Sequence, residues 1–90
     1  MKILFIEDDR ELANFVKKIL ENAGNKVTWY PGLKDVLGTN YEWNHDLIIL
    51  DLMLPDKPGH ILIDELRRLK INIPILVLSA KIPVIFIRFL

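Results

Sequence analysis

The chain contains no cysteine. Disulfide frameworks, thiolate nucleophiles and thiolate-metal sites are thereby excluded, and a reducing compartment is allowed. Neither sign of charge is in excess, with Lys plus Arg at 12 and Asp plus Glu at 12. No global field draws such a protein to nucleic acid or to an anionic membrane, so partners have to be sought at local sites. An uninterrupted apolar stretch fit for a bilayer is lacking too. Residues 71–90 have the length, but Pro74, Lys81, Pro83 and Arg88 break them and their β-branched content favours strands. The amino-terminal "MKILFIEDD" is too short in its apolar part for a signal peptide. A cytoplasmic location, with no membrane and no nucleic-acid partner, is the expectation.

What is present fits a globular domain: 51% of the 90 residues are apolar and 27% are charged. A chain of this length makes one domain with a small core. "KILFI" (Lys2 to Ile6) is a nearly continuous apolar run, as expected of a strand covered on both faces. Asp9 then predicts a helix cap, with Leu12, Phe15, Val16, Ile19, Leu20 and Ala23 at helical spacing and Gly24 placed to close the helix. "KVTWY" has strand composition and exits at Pro31-Gly32, while "LKDVLGTNYEWN" has room for one helical turn or two. "DLIIL" repeats the buried-strand pattern and stops at Asp51. "LPDKPG" is turn chemistry, "HILIDELRRLK" reads as a helix, and "IPILVLSA" is a last apolar run that reaches Ser79. The order β-α-β-(α)-β-α-β implies a parallel sheet with right-handed crossovers.

In such a sheet the ligand crevice lies outside the carboxyl ends of the strands. Glu7 and Asp8 fall there on the first strand, Asp51 on the third and Ser79 on the fourth. One acid at a strand end is usually a solvated loop residue or a cap, and Asp9 is read as a cap alone. Joint placement at several strand ends is what structural roles leave unexplained. Carboxylates that converge repel one another, which either raises pKa values or calls for a hard divalent cation with oxygen ligands, magnesium being the natural candidate. A carboxylate is also a nucleophile toward phosphorus once the phosphoryl oxygens are neutralised, which gives Asp51 a role and lets the Ser79 hydroxyl sense the added group.

Together, "ILFIEDD", "DLIILDLMLP" followed by Pro58-Gly59, and "IPILVLSA" resemble the receiver domain of bacterial two-component response regulators over residues 2–81. The resemblance implies a flavodoxin-like, doubly wound α/β fold with strand order 2-1-3-4-5. It implies magnesium at Glu7, Asp8, Asp51 and the backbone carbonyl of Met53, the phosphoacceptor at Asp51, the switch hydroxyl at Ser79, and a sensor histidine kinase as partner. A receiver accepts a phosphoryl group and is not a turnover enzyme.

A complete receiver has a fifth βα unit whose strand ends in a lysine, normally before proline. Lys81 follows Ser79 too closely for that lysine, and Arg88 has no proline after it. Residues 1–81 are therefore expected to form a truncated receiver lacking the normal fifth βα unit, and residues 82–90 an apolar tail. The tail has three courses open: to prolong the fourth strand, to fold back antiparallel, or to pair with another molecule. The last is favoured, as a homodimer or swapped oligomer, since an uncovered fourth strand is an apolar edge. The rival functions are a receiver that no longer signals, acting as a kinase-docking or dimerisation module or surviving as a remnant, and an aspartate-nucleophile phosphatase. Met53 argues against the phosphatase, because it stands where an acid is required to assist the leaving group. His45 and His60 read as solvated, and Trp29 and Trp43 as packing residues.

Overall fold

The computed structural model describes residues 1–37 and 40–78, together with the backbone of residues 85–87. Its elements in chain order are β1 (Lys2–Ile6), α1 (Arg10–Asn22), β2 (Lys26–Tyr30), β3 (Leu47–Asp51), α2 (His60–Arg68), β4 (Ile75–Leu78) and β5 (Ile85–Ile87). They build one sheet of order β2-β1-β3-β4-β5. The pairs β1 with β2, β1 with β3 and β3 with β4 are parallel, whereas β5 runs antiparallel to β4 with Leu76 opposite Phe86.

The apolar runs are continuous because both faces of the sheet are covered. Leu4, Ile6, Ile48, Leu50, Ile75 and Val77 point to one side, where α2 supplies Leu62, Ile63 and Leu66. Ile3, Phe5 and Ile49 point to the other, where α1 supplies Ala13 with Val16 and Leu20 beside it. The segment after β2 makes a single helical turn, in which the Leu37 N–H donates to the Leu33 carbonyl at 3.0 Å, and it buries Leu33 and Val36.

Asp9 caps α1 as the sequence predicts, its carboxylate accepting from the Leu12 N–H at 3.1 Å. Both helices end in the same hydrogen-bonding pattern. After α1 the Gly24 N–H donates to Glu21 and the Asn25 N–H to Leu20; after α2 the Lys70 N–H donates to Arg67 and the Ile71 N–H to Leu66. The left-handed residue is Gly24 (φ 95°) in the first case and Lys70 (φ 58°) in the second.

Three expectations are revised. The apolar arc of α1 is only half covered: Leu12, Phe15 and Ile19 are exposed, and the small Ala13 is the residue that packs fully. His45 is not solvated, since its ring lies parallel to Tyr41 at 6.0 Å and its Nδ1 is buried with no hydrogen-bond partner among the described residues. Residues 85–87 return along β4 of their own chain, the fold-back course, where pairing with another molecule is the course favoured from sequence.

Candidate functional site

β1 and β3 lie side by side with Ile6 opposite Leu50. The next residue on each is an acid, so this register alone brings Glu7 and Asp51 to the same level. Asp8 follows Glu7 before the cap of α1, and carboxylate oxygens of Glu7, Asp8 and Asp51 all lie within 4.8 Å of one another. The crevice sits where the strand order reverses, between the outward step from β1 to β2 and the step from β1 to β3, as ligand sites do in open α/β sheets.

The acids differ in environment. Glu7 is only 6% exposed, Asp51 is half-buried and Asp8 is exposed. Burial pushes the Glu7 carboxyl up; the Asp9 N–H, donating to Glu7 Oε2 at 3.2 Å, opposes this, and the neighbouring Asp8 and Asp51 add to it. The outcome is a carboxyl raised from 4.5 to about 7. A site of hard carboxylate oxygens that repel one another has the donor chemistry of an oxygen-ligated divalent cation. Glu7, Asp8 and Asp51 are the residues placed to hold one.

The loop after β3 is bound back onto the strand it leaves. The Met53 N–H donates to Asp51 Oδ1 at 2.9 Å, and the Gly59 N–H donates to the Leu52 carbonyl at 3.0 Å. A side chain at Gly59 would put its Cβ 2.6 Å from the Asp51 carbonyl oxygen, which only glycine avoids. The same loop is tied sideways by Asp56, whose carboxylate accepts from the N–H groups of Leu33 at 2.8 Å, Lys34 at 3.0 Å and Lys57 at 2.9 Å. Burial pushes the Asp56 carboxyl up, yet these donors together outweigh it and hold the group below its usual range.

Of the residues singled out in the sequence, Glu7, Asp8 and Asp51 meet at one point, Met53 stands beside Asp51, and Ser79 lies outside the described residues. Sequence reasoning misses two. Asp56 reads there as turn chemistry only, although an Asp between Pro55 and Lys57 is a ready backbone acceptor. Trp29 reads as packing, yet its indole Nε1–H donates to the Glu7 carbonyl at 2.8 Å.

A doubly wound sheet whose switch point carries an acidic trio defines a flavodoxin-like α/β domain with the oxygen donors of a hard cation site. The chain belongs to the response regulator receiver domain family, whose family model matches residues 3–87. It is 38% identical over 81 residues to the transcriptional regulatory protein CiaR of Streptococcus pneumoniae, a match that spans 90% of this chain and 36% of CiaR. The receiver domain of HemR from Leptospira biflexa superposes with a TM-score of 0.80 at 31% identity, over 89% of this chain and 64% of that one. The response regulator TrrA of Thermotoga maritima, solved in complex with Mg(2+)-BeF, superposes with a TM-score of 0.77 at 26% identity, over 88% of this chain and 69% of that one. The protein is thus a receiver domain of the two-component type, and it spans about a third of the length of the curated relatives it matches. Among the described residues, no helix is long and apolar enough to cross a membrane.

Proposed function

We propose that Asp51 accepts a phosphoryl group from the phosphohistidine of a sensor histidine kinase, in a site where Glu7, Asp8, Asp51 and the Met53 backbone carbonyl hold Mg2+. The observation that carries this reading is the meeting of three carboxylates at the carboxyl ends of adjacent parallel strands, with oxygens within 4.8 Å. An Asp51 oxygen attacks phosphorus, the phosphorus–oxygen bond forms as the phosphorus–nitrogen bond to imidazole breaks, and the leaving imidazole nitrogen takes up a proton. Asp51 is held for this by the Met53 N–H on Oδ1, which leaves Oδ2 for the attack. When bound, the cation supplies charge neutralisation to the phosphoryl oxygens. Ser79 is assigned the hydroxyl that senses the added group, and the domain acts once per phosphorylation, without turning over a substrate as an enzyme does. A cytoplasmic location follows from the need to meet a kinase's catalytic domain.

The test is incubation with Mg2+ and acetyl phosphate, read by intact-protein mass spectrometry. An added phosphoryl mass that disappears with Asp51→Asn and with EDTA is expected. A folded wild type that never gains the mass would overturn the assignment.

A second reading is favoured by the uncovered side of α1, where Leu12 is 44%, Phe15 64% and Ile19 52% exposed. On that reading the chain is a docking module whose exposed α1 side takes a kinase helix or the same face of a second copy. Light scattering at high micromolar concentration separates these, since a strict monomer removes the homodimer.

A further inference from the structure

Resting on the cation reading of the site, we propose that Trp29 is a positioning residue for the acidic pair, fixing the peptide that joins Glu7 to Asp8. In a parallel ladder a residue that donates to one partner residue accepts from the residue two further along. The Glu7 N–H donates to the Tyr30 carbonyl at 3.1 Å, so the ladder would offer the Glu7 carbonyl the N–H of residue 32. β2 ends at Tyr30 and the chain turns at Pro31-Gly32, which takes that donor out of the sheet. The Trp29 indole, donating to the Glu7 carbonyl oxygen at 2.8 Å, stands in its place. Because the peptide unit is planar, holding the carbonyl oxygen fixes the plane from which Glu7 leads into Asp8, and with it the backbone position from which the Asp8 side chain starts.

The indole is itself held. Phe5 is its partner across the β1–β2 pair, and the Arg10 guanidinium lies over its ring, 5.6 Å from the centroid. Arg10 is the first residue of α1. Trp29 therefore joins β1, β2 and the start of α1 at the one turn that carries two of the three acids.

The experiment is a Mg2+ titration followed in 15N–1H spectra of the wild type, with the two indole resonances assigned by Trp43→Phe. The Trp29 indole signal is expected to move with the same dissociation constant as the Asp8 and Asp51 amides, while the Trp43 signal stays. In a parallel calorimetric titration, Trp29→Phe, which keeps the ring and loses the donor, is expected to bind Mg2+ roughly fivefold more weakly, the net worth of one hydrogen bond. A merely structural role would lower the unfolding midpoint and leave Mg2+ affinity unchanged. The proposal is overturned by a stationary indole signal while the Asp8 and Asp51 amides shift, or by wild-type affinity in Trp29→Phe. If no amide responds to Mg2+, the cation reading falls first and the role of Trp29 falls with it.

Discussion

Glu7 and Asp51 stand one residue past the paired Ile6 and Leu50, so two adjacent strands deliver their acids to the same crevice, one buried and one half-open to solvent. The fold places like charges together and shields one of them from water. Without a cation, ionising Glu7 works against folding.

The first prediction follows from that burial. The folded chain keeps the Glu7 proton up to about 7, whereas the unfolded chain releases it near 4.5. Between those values the unfolded state binds fewer protons, so the Glu7 contribution to stability falls as pH rises through the interval and stays lost above it. His45 works in the opposite direction: burial and Lys2 hold its imidazole below 6.5, with Asp46 opposing, which makes stability rise with pH below that value. The measurement is therefore the difference in urea midpoints between the wild type and Glu7→Gln in EDTA. The variant is expected to gain on the wild type by about 1.4 kcal/mol for each pH unit crossed in this interval, and by a few kcal/mol in all. A flat difference would mean that Glu7 ionises as an ordinary carboxyl.

Asp51→Asn should change the sign of its effect with the ion present. In EDTA at neutral pH it removes a like charge facing Glu7 and is expected to stabilise the domain by about 1 kcal/mol. In excess Mg2+ it removes a ligand, and the wild type should become the more stable of the two. Paired thermal scans with and without Mg2+ check this, and the same sign in both would contradict it.

Asp56→Ala deprives the N–H groups of Leu33, Lys34 and Lys57 of their common acceptor. A loss of about 1 to 2 kcal/mol is expected, comparable to that of a helix cap, with Asp56→Asn costing less because it keeps an oxygen. The contribution of the carboxylate is present above the usual carboxylate range and is lost as pH falls through its depressed value. Urea denaturation at neutral and acid pH reads both effects.

Lys70 adopts at the end of α2 the left-handed conformation that Gly24 adopts at the end of α1. Lys70→Gly is expected to stabilise the domain by about 1 kcal/mol by relieving the Cβ contact, and Gly24→Ala to destabilise it by a similar amount. Equal and opposite shifts in the thermal midpoint are the expected pair of results.

The strands that carry the acids are legible in the sequence because burial on both faces writes itself into continuous apolar runs, and the Asp9 cap because capping acts within one helical turn. Glu7, Asp8 and Asp51 are legible as a group because the strand ends of a parallel sheet share one side. The bond from Trp29 to Glu7 and those from Leu33 and Lys34 to Asp56 are not, since they join residues 22 or 23 positions apart whose approach depends on the completed sheet. The exposure of Leu12, Phe15 and Ile19 is hidden for a different reason. Periodicity reports how wide an apolar arc is and is silent on what covers it.

The pairing of β1 with β3 joins segments far apart in the chain, Ile3 with Leu47 through Ile6 with Leu50. Such non-local pairing has to close a large loop, so the acidic crevice exists only in a chain that has made this pairing. A cation held there recognises the closed chain alone, and at a hundred times its dissociation constant it deepens the native well by about 2.7 kcal/mol. The crevice is in this respect a latch on its own assembly: whatever ion fills it shuts the door through which the domain would unravel.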